Sequence, residues 1–79
     1  MKSCIYCMYD EIAKQTVSIF QANNDEQATV NIENTLKRSP LARYKVSLYK
    51  LVEFDVTKMD TTSVIRDFRF VKTFKGGKK

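Results

Sequence analysis

Chemistry needs particular side chains at particular spacings, and this chain of 79 residues offers few of them. It has no histidine, which removes the commonest general base and the commonest metal ligand together. Cys4 and Cys7 have the spacing of half a zinc site. No second pair exists, however, and residues three apart on a strand point to opposite faces, so both read as buried free cysteines. A thioredoxin-like use would need the pair to open a helix, which this placement does not offer. Carboxylate pairs occur at Asp10/Glu11, Asp25/Glu26 and Glu53/Asp55. The first fits a solvated turn and the second complements a helix dipole; the third fits a solvated strand end, although two carboxylates on one strand face have the geometry to hold a cation. The only glycines are Gly76 and Gly77, so there is no phosphate-cradling loop. The expectation is a non-enzyme with no catalytic residue, no metal and no cofactor.

What remains is cation and ring. Residues 1–34 carry two bases against five acids, a balance of −3, whereas residues 35–79 carry twelve against four, a balance of +8. A basic half beside an acidic half favours a polyanionic partner. Arg43, Lys45 and Tyr49 share the polar face of one extended stretch, and Arg66, Arg69, Lys72, Lys75, Lys78 and Lys79 run through the last segment among Phe68, Phe70 and Phe74. Single-stranded nucleic acid is held by this combination, because phosphates need neutralising and unstacked bases need flat apolar platforms, worth about 1–3 kcal/mol per base. The candidate binding set is therefore Arg43, Lys45, Tyr49, Arg66, Arg69, Phe70, Lys72, Lys75, Lys78 and Lys79. Against it stands the ordinary use of phenylalanine as core, which weighs on Phe68 and Phe70; Tyr49, between cations, is the ring expected to be exposed.

The elements that must position these residues centre on Phe20 to Pro40. Asn24 is placed to cap a helix with Gln27 reaching back, Asp25 and Glu26 complement the dipole at its start, and Lys37 and Arg38 do so at its end. Ala28, Ile32 and Leu36 make one narrow apolar stripe, and Pro40 prevents continuation. A stripe that narrow needs a sheet to lie on. Lys2 to Tyr9 reads as a strand apolar on both faces, which requires cover on both sides. Asp10 to Lys14 is a hairpin connection, and Gln15 to Gln21 a second strand. From Arg43 to Phe54 the period is two, with Tyr44, Val46, Leu48, Val52 and Phe54 on a face interrupted only by Lys50, and Arg43, Lys45, Ser47, Tyr49 and Glu53 opposite. Val56 to Ser63 is polar and reads as a loop. Val64 to Phe74 is extended again, with Phe68, Phe70 and Phe74 on one face; it either completes the sheet or stands free as an arm. The order strand, strand, helix, strand, strand predicts a small antiparallel α+β sheet with one helix packed on one face, as a single domain over 1–75 with a flexible basic tail at 76–79.

A domain this small buries only about 60 to 65% of the surface its unfolded chain exposes. Cys4 and Cys7 are too close in sequence to staple distant segments, so a homodimer is the expected aid; it would also cover the two-sided first strand. No apolar run is long enough for a signal peptide or a membrane span, which predicts a soluble protein in a reducing cytosol with no membrane partner.

The residues also resemble a family. Met8-Tyr9-Asp10, then Ile19 through Ala28 with its Phe20-Gln21-Ala22-Asn23-Asn24-Asp25 core, then Tyr44 to Leu48 leading into Glu53-Phe54-Asp55, is similar to the small non-structural protein of gokushovirus-type microviruses, tailless phages with circular single-stranded DNA. That family shows a strand ending in Tyr-Asp, a Phe-x-Ala-x-Asn-Asp entry to the helix and a strand closing with Gly-Glu-Phe-Asp. The likeness covers about two thirds of the chain, up to Asp55. Val52 stands where the family usually has glycine, and Lys58-Met59-Asp60 replaces its Thr-Gly turn. The resemblance implies a role in phage DNA replication in the host cytoplasm, by binding single-stranded DNA or assisting the switch to single-strand synthesis and packaging. The rival expectation is a protein-interaction module, either a scaffold or packaging factor that binds capsid protein or an inhibitor docked on a host replication enzyme, through a sheet edge or Val30. A phage or host replication protein is thus a further candidate partner.

Overall fold

The computed structural model describes residues 2–38, 43–57 and 64–77. They form β1 (Lys2–Asp10), β2 (Gln15–Ala22), α1 (Asp25–Arg38), β3 (Arg43–Asp55) and β4 (Val64–Gly77), in one four-stranded sheet of order β2-β1-β3-β4 with every pairing antiparallel. The α+β architecture is the one that the pattern predicts, and the last segment completes the sheet. Because β1 lies between β2 and β3, α1 is a crossover that packs over one face. The predicted loop at Val56 to Ser63 and the stop at Pro40 fall mostly outside the described residues, which take in only Val56 and Thr57 of them.

Local chemistry accounts for each element. The Asn24 side chain accepts from the Gln27 amide at 2.8 Å, and Gln27 accepts from the Asn23 amide at 2.7 Å, so the reciprocal cap forms one residue wider than a standard box. Such a cap contributes about 1 kcal/mol. Between β1 and β2, the Asp10 carboxylate accepts from the amides of Ile12 and Ala13, and Lys14 takes a positive φ of 57° to turn the chain. Ala28 and Ile32 of α1 are buried against Cys4, Tyr6 and Met8 of β1, Ala22 of β2, Val46 and Leu48 of β3 and Phe74 of β4, with Phe20, Leu36, Tyr44 and Val71 partly buried around them. Cutting the fully buried Leu48 back to alanine would cost about 2–5 kcal/mol.

Bulges change which residues share a face. The pairing of β3 with β4 shifts between Leu48 and Tyr49: Leu48 lies opposite Lys72 but Tyr49 opposite Phe70, leaving Val71 as the extra residue. Phe74 therefore enters the helix-side core, while Phe68 and Phe70 turn to the other face, contrary to the single phenylalanine face expected from strict alternation. A second shift, between Lys50 and Val52, brings Glu53 to the side of Lys50 instead of the side of Tyr49. β4 also runs through Gly77, with Gly76 paired to Tyr44, where a frayed tail was expected to begin. A Cβ added at Gly76 would lie 2.6 Å from the Tyr44 ring, so that ring occupies the space a side chain would fill.

Candidate nucleic-acid interface

The two ends of the sheet treat their cations differently. At the end where α1 begins, Tyr6, wholly buried, donates its hydroxyl to Asp25 at 2.6 Å. Arg69 pairs with the same carboxylate at 2.9 Å and approaches Asp67 at 3.8 Å, and Lys50, only 5% exposed, pairs with Asp67 at 2.8 Å and Glu53 at 3.5 Å. Lys2 completes the chain of charges with Glu53 at 3.6 Å. The hydrogen bond to Asp67 raises the Lys50 pKa in spite of desolvation, and the same bond lowers that of Asp67. Burial pushes Asp25 up, but the bonds from Tyr6 and Arg69 outweigh it and hold the carboxyl below its ordinary range. Burial, then the bond to Asp25, drives the Tyr6 phenol far up. Tyr6, Asp25, Lys50, Glu53 and Arg69 line a cleft of about 500 Å³ with Cys4, Asn23, Asn24 and Glu26. The charges of Lys2, Asp25, Lys50, Glu53, Asp67 and Arg69 answer one another, and the arrangement works as a clamp holding the start of α1 to β3 and β4.

At the opposite end, Lys45 of β3 lies directly across from Lys75 of β4. Like charges facing each other across an antiparallel pair are unfavourable. No ion pair relieves them: among the described residues Lys45, Lys72, Lys75 and Lys37 have no carboxylate partner within 4.0 Å. Carboxylates are near, but they are engaged elsewhere. Asp10 serves the turn amides, and Glu11 accepts from Ser47 at 2.6 Å, the hydroxyl of Ser47 lying 3.1 Å from that of Thr73. Around the edge formed by β4, Lys37, Lys72 and Lys75 line a groove of about 370 Å³ with Tyr44, Leu36, Thr73, Phe74 and a single acid, Glu33. Lys72 lies over the Phe74 ring, 5.2 Å from its centroid.

The sheet face away from α1 has no covering element among the described residues, and its centre is aromatic. Tyr49 stacks on Phe68 with centroids 5.5 Å apart and planes at 14°, and meets Phe70 and Tyr9 edge-on at 5.7 and 6.5 Å. Cys7, Tyr9, Thr16, Ile19, Tyr49, Leu51 and Phe68 line a hollow of about 410 Å³ there. Cys4 is in the helix-side core and Cys7 on this open face, as a spacing of three on a strand requires; burial raises the Cys7 thiol. No group of three or more His, Cys, Asp or Glu among the described residues has metal-binding proximity.

The sequence-selected residues thus divide into several sets. Lys45, Lys72 and Lys75 converge on one end of the sheet, from both of its faces rather than one. Arg69 is absorbed by Asp25 and Asp67 at the other end. Arg66, opposite Val52 and exposed, stands apart from the lysines. Tyr49, expected to be open, is half-buried among rings, while Phe70 and Phe68, which the ordinary reading places in the core, are 53% and 63% exposed. The backbone of Arg43 pairs with Gly77 at the lysine-rich end, and Lys78 and Lys79 lie outside the described residues. Lys37 was missed as a site residue because the helix dipole already explained it; its signal is its place one turn after Glu33 on the flank nearest β4. No helix among the described residues is long and apolar enough to cross a membrane. Comparison with protein-family models, curated proteins and solved structures finds no match.

Proposed function

We propose that the chain is a non-enzymatic nucleic-acid-binding protein that holds the phosphate backbone of single-stranded DNA at its lysine-rich end. The opposition of Lys45 and Lys75, with Lys72 and Lys37 beside it and no carboxylate within ion-pairing distance of the four among the described residues, carries this reading. A sheet that keeps two facing cations unpaired gains stability when an anion arrives, and a chain of phosphates answers all four lysines at once. The groove beside Tyr44 gives the strand a path around β4 from one face to the other. Binding is electrostatic and weakly selective for sequence, which suits a part in phage DNA replication or in the switch to single-strand synthesis and packaging, the setting that the family resemblance implies.

Titration of fluorescent single- and double-stranded oligonucleotides at several salt concentrations tests it. With four to six phosphates neutralised, log affinity for single strands falls against log salt with a slope of about −3 to −4, at roughly −0.7 per phosphate. A response flat in salt overturns the proposal. Ending the chain at Phe74 removes Lys75, Lys78 and Lys79 and reduces the slope by up to about 2 if all three touch phosphate.

A further inference from the structure

The open face has the chemistry of an interface with its partner removed. We infer that it docks face to face on the same surface of a second copy of this chain, forming a two-fold dimer in which two sheets stack with their helices outermost. Ile19 on β2 is 65% exposed and Phe68 and Phe70 on β4 are 63% and 53% exposed, so with Cys7, Tyr9, Tyr49 and Leu51 between them an apolar surface runs across all four strands and meets water along both edge strands. The rim is polar: Thr73, Lys45 and Lys75 lie toward one end, and Thr16 and Gln21 along β2. An apolar centre within a polar rim is the anatomy of a protein contact.

Size and charge select a second copy. A stable interface takes roughly 800 Å² from each partner, and the Cα envelope of the molecule, 48 by 21 Å across its two longer axes, supplies that from the sheet alone. The residues lining the central hollow include no cation, so phosphates find nothing to answer them there, and one ring face of Tyr49 is already taken by Phe68. Edge-to-edge assembly through β4 is opposed by Arg66, Arg69, Lys72 and Lys75, which repeat every third residue along that edge strand. Packing the open faces together instead covers the Ile5, Cys7 and Tyr9 side of β1, which would otherwise have cover on only one side, and leaves the lysine-rich ends at the margin. The assembly does not depend on nucleic acid.

Sedimentation equilibrium of the intact chain over a wide concentration range, without DNA, tests the inference. The wild type is expected to fit a monomer–dimer equilibrium. Phe68→Glu and Phe70→Glu are each expected to weaken it at least about 100-fold, because a two-fold interface carries every substitution twice. Circular dichroism is expected to stay unchanged, since both residues are more than half exposed in the single chain. Val30→Asp, on the exposed outer side of α1, should leave the dimer as it is. A wild type that stays monomeric at every concentration overturns the inference, as does a dimer that survives both phenylalanine changes, which would place the contact on the free edge of β2. Weaker DNA binding by a Phe68→Ser chain that is monomeric both with and without the change would also overturn it, assigning the rings to bases.

Discussion

The two ends of this sheet hold similar numbers of cations and use them in opposite ways. Where α1 begins, Lys50 and Arg69 are tied to Asp25, Asp67 and Glu53 beneath the helix. Where it ends, Lys45 faces Lys75 across the strands and Lys72 lies on the other side of the sheet, none of them ion-paired among the described residues. The first arrangement is a closed circuit that stabilises the fold, while the second leaves work for a ligand. Net charge alone does not distinguish them, because a cation inside a satisfied network contributes little to the outward field.

The comparison breaks most decisively at Lys50. Lys50→Ala is expected to destabilise the protein by about 2 kcal/mol in urea denaturation, below the ~3–5 kcal/mol of a fully buried pair because Asp67 and Glu53 keep some solvent. Lys50→Met, which retains the stem, should recover part of that loss. Tyr6→Phe removes one hydroxyl and leaves Asp25 short of a donor, for about 1–2 kcal/mol.

The same end sets the pH response. Asp25 and Asp67 have folded pKa values below the ordinary carboxylate value of about 3.9, so their contribution is present above that pH and disappears as acid carries the solution through the lowered values. Lys50 is raised, so its contribution is complete below about pH 10.4 and fades as alkali passes its higher folded value. Urea midpoints measured from acid to alkali should therefore show a plateau with two falling limbs, and Lys50→Ala should flatten both.

At the lysine-rich end the sign reverses. Replacing Lys45 and Lys75 together by glutamine is expected to raise stability by about 0.2–1 kcal/mol through relief of like charge, while lowering the salt slope for single-stranded DNA by about 1.4 if each lysine meets one phosphate. The smallest effect belongs to Arg69→Gln, which should leave that slope unchanged because Asp25 and Asp67 already hold the guanidinium. An equal fall in slope for Arg69→Gln and the lysine pair would erase the distinction between the two ends.

Much of this was legible from residue order. The cap at Asn24, the stripe of Ala28, Ile32 and Leu36 and the separation of Cys4 from Cys7 all follow from local periodicity, and each is where that periodicity places it. Lys50 was visible as the one interruption in an apolar strand face, yet its partners were not, since Asp67 is 17 residues away and the link to Asp25 runs through Arg69. The division of the phenylalanines was hidden for another reason. One extra residue at Val71 reverses the parity of Phe70 and Phe68 before it, and no feature of the sequence marks where a bulge will fall.

Tyr44 and Gly76 give the lysine opposition an unexpected guardian. Since the tyrosine ring occupies the place of a side chain at position 76, the next-to-last rung of the β3–β4 ladder fits in one registry and resists sliding. A slip of a single residue would swing Lys75 to the far side of the strand and leave Lys45 facing a neutral neighbour. Whatever the paired lysines grip, an uncharged aromatic resting on a glycine keeps them aligned.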